Sequence, residues 1–274
     1  MTLPKLACAL ACALLLLSNP ALAAIGRVSL VEGVAHRVPS DTDTRSPRAG
    51  AESERLREGT GIELSDRITV EEGAHLKITL NDGSVVVVGG GSTLYIDEAR
   101  FEGQERRGFG VFLEVGKLWA KVKKAIAGSD AKFEVTTERA VAGVRGTIFR
   151  IDALKATLQV NTAQEPSKTT RRKKKRPAPK RQVSTRVRVD EGKVAVGDPR
   201  VYAQVAASGA AQPDPGPRRQ VAGPQEVDAA TWEERFVLLQ AGREVVVGPD
   251  LWEVGAVKAG TNDAFDAWVE ANGG

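Results

Sequence analysis

The sequence predicts an all-β protein: short antiparallel strands in a sandwich or roll, or in a twisted β-solenoid, with a short C-terminal helix. Three observations predict it. Valine outnumbers leucine, 32 to 21, and eight of those leucines lie in the first 22 residues, where no valine occurs. Branched side chains of this kind suit a pleated, half-buried surface. The chain also carries 28 Gly and 13 Pro, the residues that turns require. Finally, apolar and polar residues alternate over short runs, the period of a strand with one buried face. With 42% hydrophobic and 27% charged residues the composition is globular, and 274 residues make one large domain or two small ones.

The alternation is strict at Leu76-Lys77-Ile78-Thr79-Leu80. Asn81-Asp82-Gly83 follows, then Ser84 to Val88. Asp-Gly between two β-prone runs signals a hairpin, because both central residues of a type I′ turn need positive φ. The same grammar recurs around Gly33, Gly116, Gly192 and Gly242. Phe133, Val135 and Thr137 alternate with Glu134 and Thr136, and Val187, Val189, Val194 and Val196 continue the pattern. Phe236 to Gly248 reads as one further hairpin. A short helical turn is expected within Ala120 to Ala127. A better helix runs from Asn262 to Asn272, capped by Asn262 or Asp263, with Phe265 and Trp268 or Val269 on one face.

Met1 to Ala23 has one cation, Lys5, an apolar run from Leu6 to Leu17, and Ala21-Leu22-Ala23 before Ala24. That is the layout of a signal peptide (residues 1–23), and its apolar run is shorter than the roughly 20 residues of a membrane-spanning helix. The expected location is therefore outside the cytoplasm: periplasmic, cell-surface or secreted. The only cysteines, Cys8 and Cys12, lie in this segment, so everything after it lacks thiol chemistry, disulfides and cysteine metal ligands. His36 and His75 are the only histidines, neither beside a nucleophile or ligand pattern, and both read as solvated or partly packed. The acid pairs Glu71-Glu72 and Asp97-Glu98 read as solvated turns, Gly89-Gly90-Gly91 as a loop without the lysine of a phosphate loop, and the four Trp as packing anchors. No cofactor, metal site or catalytic residue is expected.

One segment stands apart. From Pro166 to Arg188 there are eleven Lys or Arg and no acid, among them Arg171, Arg172, Lys173, Lys174, Lys175, Arg176, Lys180 and Arg181. Without these eleven and Lys5 the formal charge falls from +4 to −8. Such a block repels itself and reads as a disordered insertion at 164–186. It either attracts a polyanion (anionic lipid, lipopolysaccharide or acidic polysaccharide) or is a solvated ornament. Aromatics are absent from 161 to 201, which disfavours stacking on nucleic-acid bases. A Pro/Gly/Ala-rich linker is expected at 198–226, and residues 227–274 read as a hairpin-plus-helix appendage.

The run from Phe133 to Phe149, ending Val144-Arg145-Gly146-Thr147-Ile148-Phe149, resembles the signature of the FecR domain. Leu56 to Gly59, Asp66-Arg67-Ile68, Leu76 to Leu80 with Asp82-Gly83-Ser84, Ser92-Thr93-Leu94, Leu113 to Val122 and Val187 to Val196 follow in the family's order. The resemblance spans about residues 26 to 197, and the domain is expected at 24–197. It departs from the family at Glu138, where proline is usual, and in the basic insertion. Well-known members combine a cytoplasmic anti-sigma segment, one membrane span and this domain; the present chain resembles the exported, stand-alone kind. The resemblance implies a non-catalytic binding, scaffold or signalling module with an unidentified envelope protein as partner. Val144, Arg145, Gly146, Thr147, Asp82 and Gly83 are then structural or partner-binding. At the level of the residues, Gly146 permits a bend, Thr147 caps it through its hydroxyl, and Arg145 pairs with a carboxylate such as Asp82.

Overall fold

The structure, a computed structural model, describes residues 24–41, 44–124, 132–157, 181–199, 236–249, 251–258, 260 and 262–273. Residues 1–23, where a signal peptide is expected, residues 164–180 of the expected insertion and residues 200–226 of the expected linker lie outside the described residues.

The strands up to the middle of the chain are β1 (Gly26–Glu32), β2 (Ala35–Pro39), β3 (Glu54–Arg55), β4 (Gly61–Ile62), β5 (Asp66–Val70), β6 (His75–Leu80), β7 (Val85–Val88), β8 (Ser92–Glu102) and β9 (Glu105–Lys121). Then come β10 (Lys132–Thr136), β11 (Val141–Val144), β12 (Ile148–Thr157), β13 (Arg181–Glu191), β14 (Lys193–Gly197), β15 (Phe236–Gln240), β16 (Arg243–Val247) and β17 (Trp252–Ala256). A single helix, α1 (Ala264–Asn272), follows them among the described residues.

Hydrogen-bond pairing sorts the strands into two layers that share β9. The first layer runs β4-β1-β6-β7-β9-β12-β13-β16-β17. The second runs β3-β2-β5-β8-β9-β10-β11-β14-β15. Every pairing is antiparallel except β9 with β10. The layers do not close into a barrel. The 17-residue β9 belongs to both because it bends at Gly116, where φ is 106° and an added Cβ would lie 2.1 Å from the Ser92 hydroxyl. Its Gly108–Phe112 stretch pairs with β10, and its Gly116–Lys121 stretch with β12.

Beyond β9 the chain winds by a rule. Pairs of strands alternate between layers: β10–β11 in the second, β12–β13 in the first, β14–β15 in the second, β16–β17 in the first. This corrects the expected hairpins. Of the five glycine turns, only that of Gly83 joins two strands that pair, β6 and β7. The others switch layers. The expected hairpin of Phe236 to Gly248 is such a switch: β15 pairs with β14, while β16 pairs with β13 and β17. A glycine with positive φ reverses the chain in either case; the burial of the side chains that follow decides where the next strand lands.

One core fills the space between the layers. Leu76, Ile78, Leu80, Val86 and Val88 of the first face Leu94, Ile96, Val111 and Leu113 of the second, and Phe109, Phe133 and Phe149 run through the middle with ring centroids 5.0 and 6.2 Å apart. The alternation read from the sequence is obeyed, Lys77 and Thr79 facing outwards. Leu239, Val245 and Val247 belong to the same core, so the strands after the expected linker prolong both layers and are no appendage. Residues 181–186, assigned to a disordered insertion, lie in β13. They are held there because Val183 and Val187 are buried and Thr185 bonds the buried Thr137 hydroxyl at 2.8 Å. Of the helical turn expected within Ala120 to Ala127, Ala120 and Lys121 are instead the end of β9, paired with β7 and β12, 122–124 are irregular, and 125–127 lie outside the described residues. Asp97 and Glu98, expected in a turn, lie in β8, and Arg45 holds Asp97 at 3.0 Å. Gly90 fits its bend because a Cβ there would come within 2.6 Å of the Gly73 nitrogen.

Candidate functional site

The signature residues converge at one end of the sandwich, where turns stack. The β6–β7 turn is closed by Gly83 N–H donating to Leu80 and by Ser84, whose N–H and hydroxyl both donate to the Asp82 carboxylate, at 2.9 and 2.8 Å. The cation that meets Asp82 is Arg106, and not the expected Arg145, which is exposed. Arg106 leaves β9 in the second layer and crosses to the turn of the first. Its side chain is fully buried and also donates to the Ser84 hydroxyl at 2.9 Å and the Lys123 carbonyl at 3.1 Å, over the Phe133 ring. Burial pulls the guanidinium below its ordinary pKa, and Asp82 opposes that shift. The Ser84 hydroxyl accepts from Lys123 N–H at 3.0 Å, so one short motif fastens the turn, the end of β9 and the second layer together.

Arg145-Gly146-Thr147 is the switch from β11 to β12, packed beside it. Gly146 has φ 63°, and a Cβ there would meet Lys124 at 3.2 Å. The Thr147 hydroxyl donates to the Lys193 carbonyl at 2.9 Å, tying this switch to the next one at Gly192, and the Thr147 carbonyl accepts from Val122 N–H. Val144 is buried as the last rung of β11. The structure thus brings Asp82, Gly83 and Val144 to Thr147 together. Around them Lys121, Lys123, Lys124, Arg145 and Lys193 are exposed, so the corner presents cations to solvent. Of the basic block, Arg171, Arg172, Lys173, Lys174, Lys175, Arg176 and Lys180 lie outside the described residues. Arg181 opens β13 opposite Thr157, and Arg186 and Arg188 are strand residues facing Glu244 and Asp266. The sequence does not single out Arg106 in the run Glu105-Arg106-Arg107, because its partner Asp82 lies 24 positions away.

A second cluster fastens α1 to the outer face of the first layer. Asp263 caps the helix through the Phe265 and Asp266 N–H groups, and Asp266 accepts from Asp263 N–H, a reciprocal capping box. Both carboxylates face cations of the sheet. Arg150 reaches Asp263 at 2.9 and 3.0 Å, Asp266 at 2.7 Å and Asp152 at 2.8 Å. Arg188 reaches Asp266 at 2.6 Å, and Lys117 reaches Asp263 at 2.7 Å. Phe265 and Val269 pack on Val87 and Trp119. His75 stacks on Trp268 at 4.8 Å, and the Trp268 indole donates to Glu32 at 2.8 Å. Trp119 and Trp268 are therefore packing residues as expected, whereas Trp252 is 40% exposed and Trp232 lies outside the described residues.

Burial pushes Asp263 and Asp266 up, but hydrogen bonds from Arg150 with Lys117, and from Arg188 with Arg150, outweigh it, holding Asp263 well below the usual carboxylate range and lowering Asp266. Their contribution to stability is therefore complete above the unfolded value of about 4 and is lost as pH falls through the folded values. Burial also lowers His75, with Lys117 adding to that and Glu32 opposing it, so docking weakens when this ring is protonated. Docking of α1 is expected to hold at pH 7, to soften below about pH 6 and to fail progressively below about pH 4. Amide exchange across 264–272 with pH checks this; protection that is flat down to pH 3 contradicts it.

Among the described residues no group of three His, Cys, Asp or Glu could hold a metal, and no helix is long and apolar enough to cross a membrane. Residues 66–164 match the family model described as FecR protein. Two crystal structures of a proposed anti-sigma factor from Parabacteroides distasonis are similar to the chain, each with 18% sequence identity. One has a TM-score of 0.39 and covers 69% of this chain and 57% of the neighbour; the other has 0.40, with 76% and 65%. The match thus spans less than two thirds of either neighbour's length. No curated protein sequence matches.

Proposed function

We propose, from the match of residues 66–164 to the FecR family model, that the chain is an exported, non-catalytic regulatory module that binds an acidic surface of an envelope protein at its cationic corner. The observation that carries this reading is the place of the signature. Its buried members lock three turns together, and the same turns raise Lys121, Lys123, Lys124 and Lys193 around them. A lock this rigid fixes charged groups at defined spacing, which favours fast, selective association with a complementary surface.

A second reading rests on the basic insertion. Thr157 and Arg181 are paired across β12 and β13, so the residues between them start and end side by side. Eight of the eleven cations fall between 166 and 180, and they suit a polyanion such as lipopolysaccharide or anionic lipid.

One experiment separates the two. A photo-crosslinking residue is placed at Lys124 in cells making the full chain, beside a Lys123→Glu/Lys124→Glu variant and a chain with 158–180 replaced by a Gly/Ser turn. The corner reading expects a discrete protein adduct from position 124, lost on charge reversal and kept without the insertion. Loss of salt-sensitive binding to anionic vesicles in the insertion variant, with no adduct at 124, favours the polyanion instead. The exported form is expected to begin at Ala24, which its intact mass reads; a chain that keeps Met1 contradicts export by cleavage.

A further inference from the structure

The two ends of the sandwich differ. At one end the outermost strands are β3 and β4, two residues each, and β3 is Glu54-Arg55. At the other end they are β15 and β17, five residues each. Among the described residues no strand pairs with the outer side of β15 or β17. Long edges are ordinarily blunted by lysine, proline, a bulge or inward charge, because unpaired backbone groups invite another strand. Neither β15 (Phe-Val-Leu-Leu-Gln) nor β17 (Trp-Glu-Val-Gly-Ala) has lysine or proline, and the two together hold one charge, Glu253. Four of the five large hydrophobic residues that the described surface exposes are here: Leu238 at 58%, Leu251 at 48%, Trp252 at 40% and Val254 at 38%.

Trp252 and Val254 point to the core side of their layer. They lie opposite Val247 and Val245, which are buried. The alternating winding would lay its next strands at this end, but the chain leaves β17 for α1. That helix packs on Val87 and Trp119, on the outer face of the first layer, and does not cover the end.

We propose that this end pairs with the same end of a second copy of the chain, about a two-fold axis perpendicular to the layers, so that β17 meets β17 and β15 meets β15. A rotation of this kind reverses strand direction and prolongs both layers at once, as antiparallel pairs. The sequence is self-complementary in that register. Centred on Val254, Trp252 lies across from Ala256 and Glu253 across from Gly255, so the large residue meets the small one and no like charges meet. Centred on Leu238, Val237 meets Leu239 and Phe236 meets Gln240, again without charge. The proposal does not depend on the cationic corner, which lies among other turns.

The chain from Ala24 onwards has no cysteine, so one introduced thiol reports one position. The cysteine-free chain is expected to be a dimer by sedimentation at micromolar concentration. Val254→Cys is expected to oxidise to a covalent dimer, since facing residues of an antiparallel pair come within disulfide reach. Glu253→Cys, whose partner is Gly255, is expected to link far less. Val254→Arg and Leu238→Arg, which set like charges across the axis, are each expected to weaken the dimer by more than about tenfold. Their thermal midpoints, read in parallel, show that the fold is kept. A monomer at every concentration overturns the proposal. So does a dimer that both arginine variants leave intact, or one in which Glu253→Cys links as readily as Val254→Cys. Coverage of this end by the chain's own residues 200–235, or by a different protein, would appear as the first of these results.

Discussion

Replacing Arg106 by leucine is expected to destabilise the protein by about 3–5 kcal/mol, the usual cost of removing one member of a buried ion pair. The partner left behind is Asp82, whose side chain is only 10% exposed. The Ser84 hydroxyl and the Lys123 carbonyl lose a donor in the same step. The effect has a direction that separates charge from bulk. Arg106→Lys keeps a cation but not the fork that reaches three acceptors, so it should fall between wild type and leucine. Adding Asp82→Leu to Arg106→Leu should recover part of the loss, because no uncompensated charge then remains buried. Urea unfolding at constant slope checks this series. Equal losses for the single and double variants would show that packing on Phe133, and not the ion pair, holds Arg106 in place. The corner proposed to bind a partner should loosen along with the fold, since Lys123 and Lys124 continue directly from the carbonyl that Arg106 holds.

Replacing Arg150 by alanine is the second large effect, and it is expected to be local. Arg150 is 5% exposed and serves Asp152, Asp263 and Asp266 at once. Without it the buried Asp152 loses its cation, and Asp266 keeps only Arg188. α1 has nine residues, below the roughly 12–15 at which an isolated helix becomes even marginal, so it persists only while docked. Its amides are expected to lose about a hundredfold in exchange protection, while the core strands lose little. Asp263→Asn should do less, because Asp263 is 36% exposed and solvent screens its pair. Protection across 264–272 that survives Arg150→Ala would mean that Phe265, Trp268 and Val269 are sufficient to hold the helix.

Local rules reached far into this protein. The strands at 76–80, 133–136 and 187–196 follow from alternation alone, because a period of two has one buried face wherever it folds. The helix at 264–272 follows from a three- and four-residue apolar spacing after the polar pair Asn262 and Asp263, either of which could cap it; the structure uses Asp263. The match of residues 66–164 to the FecR family model was legible from blocks of residues in order, and the family's signature contains the glycine and threonine that the layer switch uses.

Other features depended on which strands meet. Gly33, Gly83, Gly116, Gly192 and Gly242 all have φ between 76° and 106°, yet only Gly83 closes a hairpin. A positive φ specifies a reversal but not the layer on which the chain lands; that is decided by which inward side chains find a core. Arg106 lies in the charged run 105–107 and Arg150 alone between Phe149 and Ile151, and each is buried because carboxylates distant in sequence come to it: Asp82 from 24 positions away, Asp263 from 113. Arg186 and Arg188 belong to a basic block by composition, but β13 gives them carboxylate partners. The edges of β15 and β17, beside which no described strand pairs, were invisible for the same reason. A strand's sequence shows which face is apolar, but only the completed pairing shows which edge remains without a neighbour.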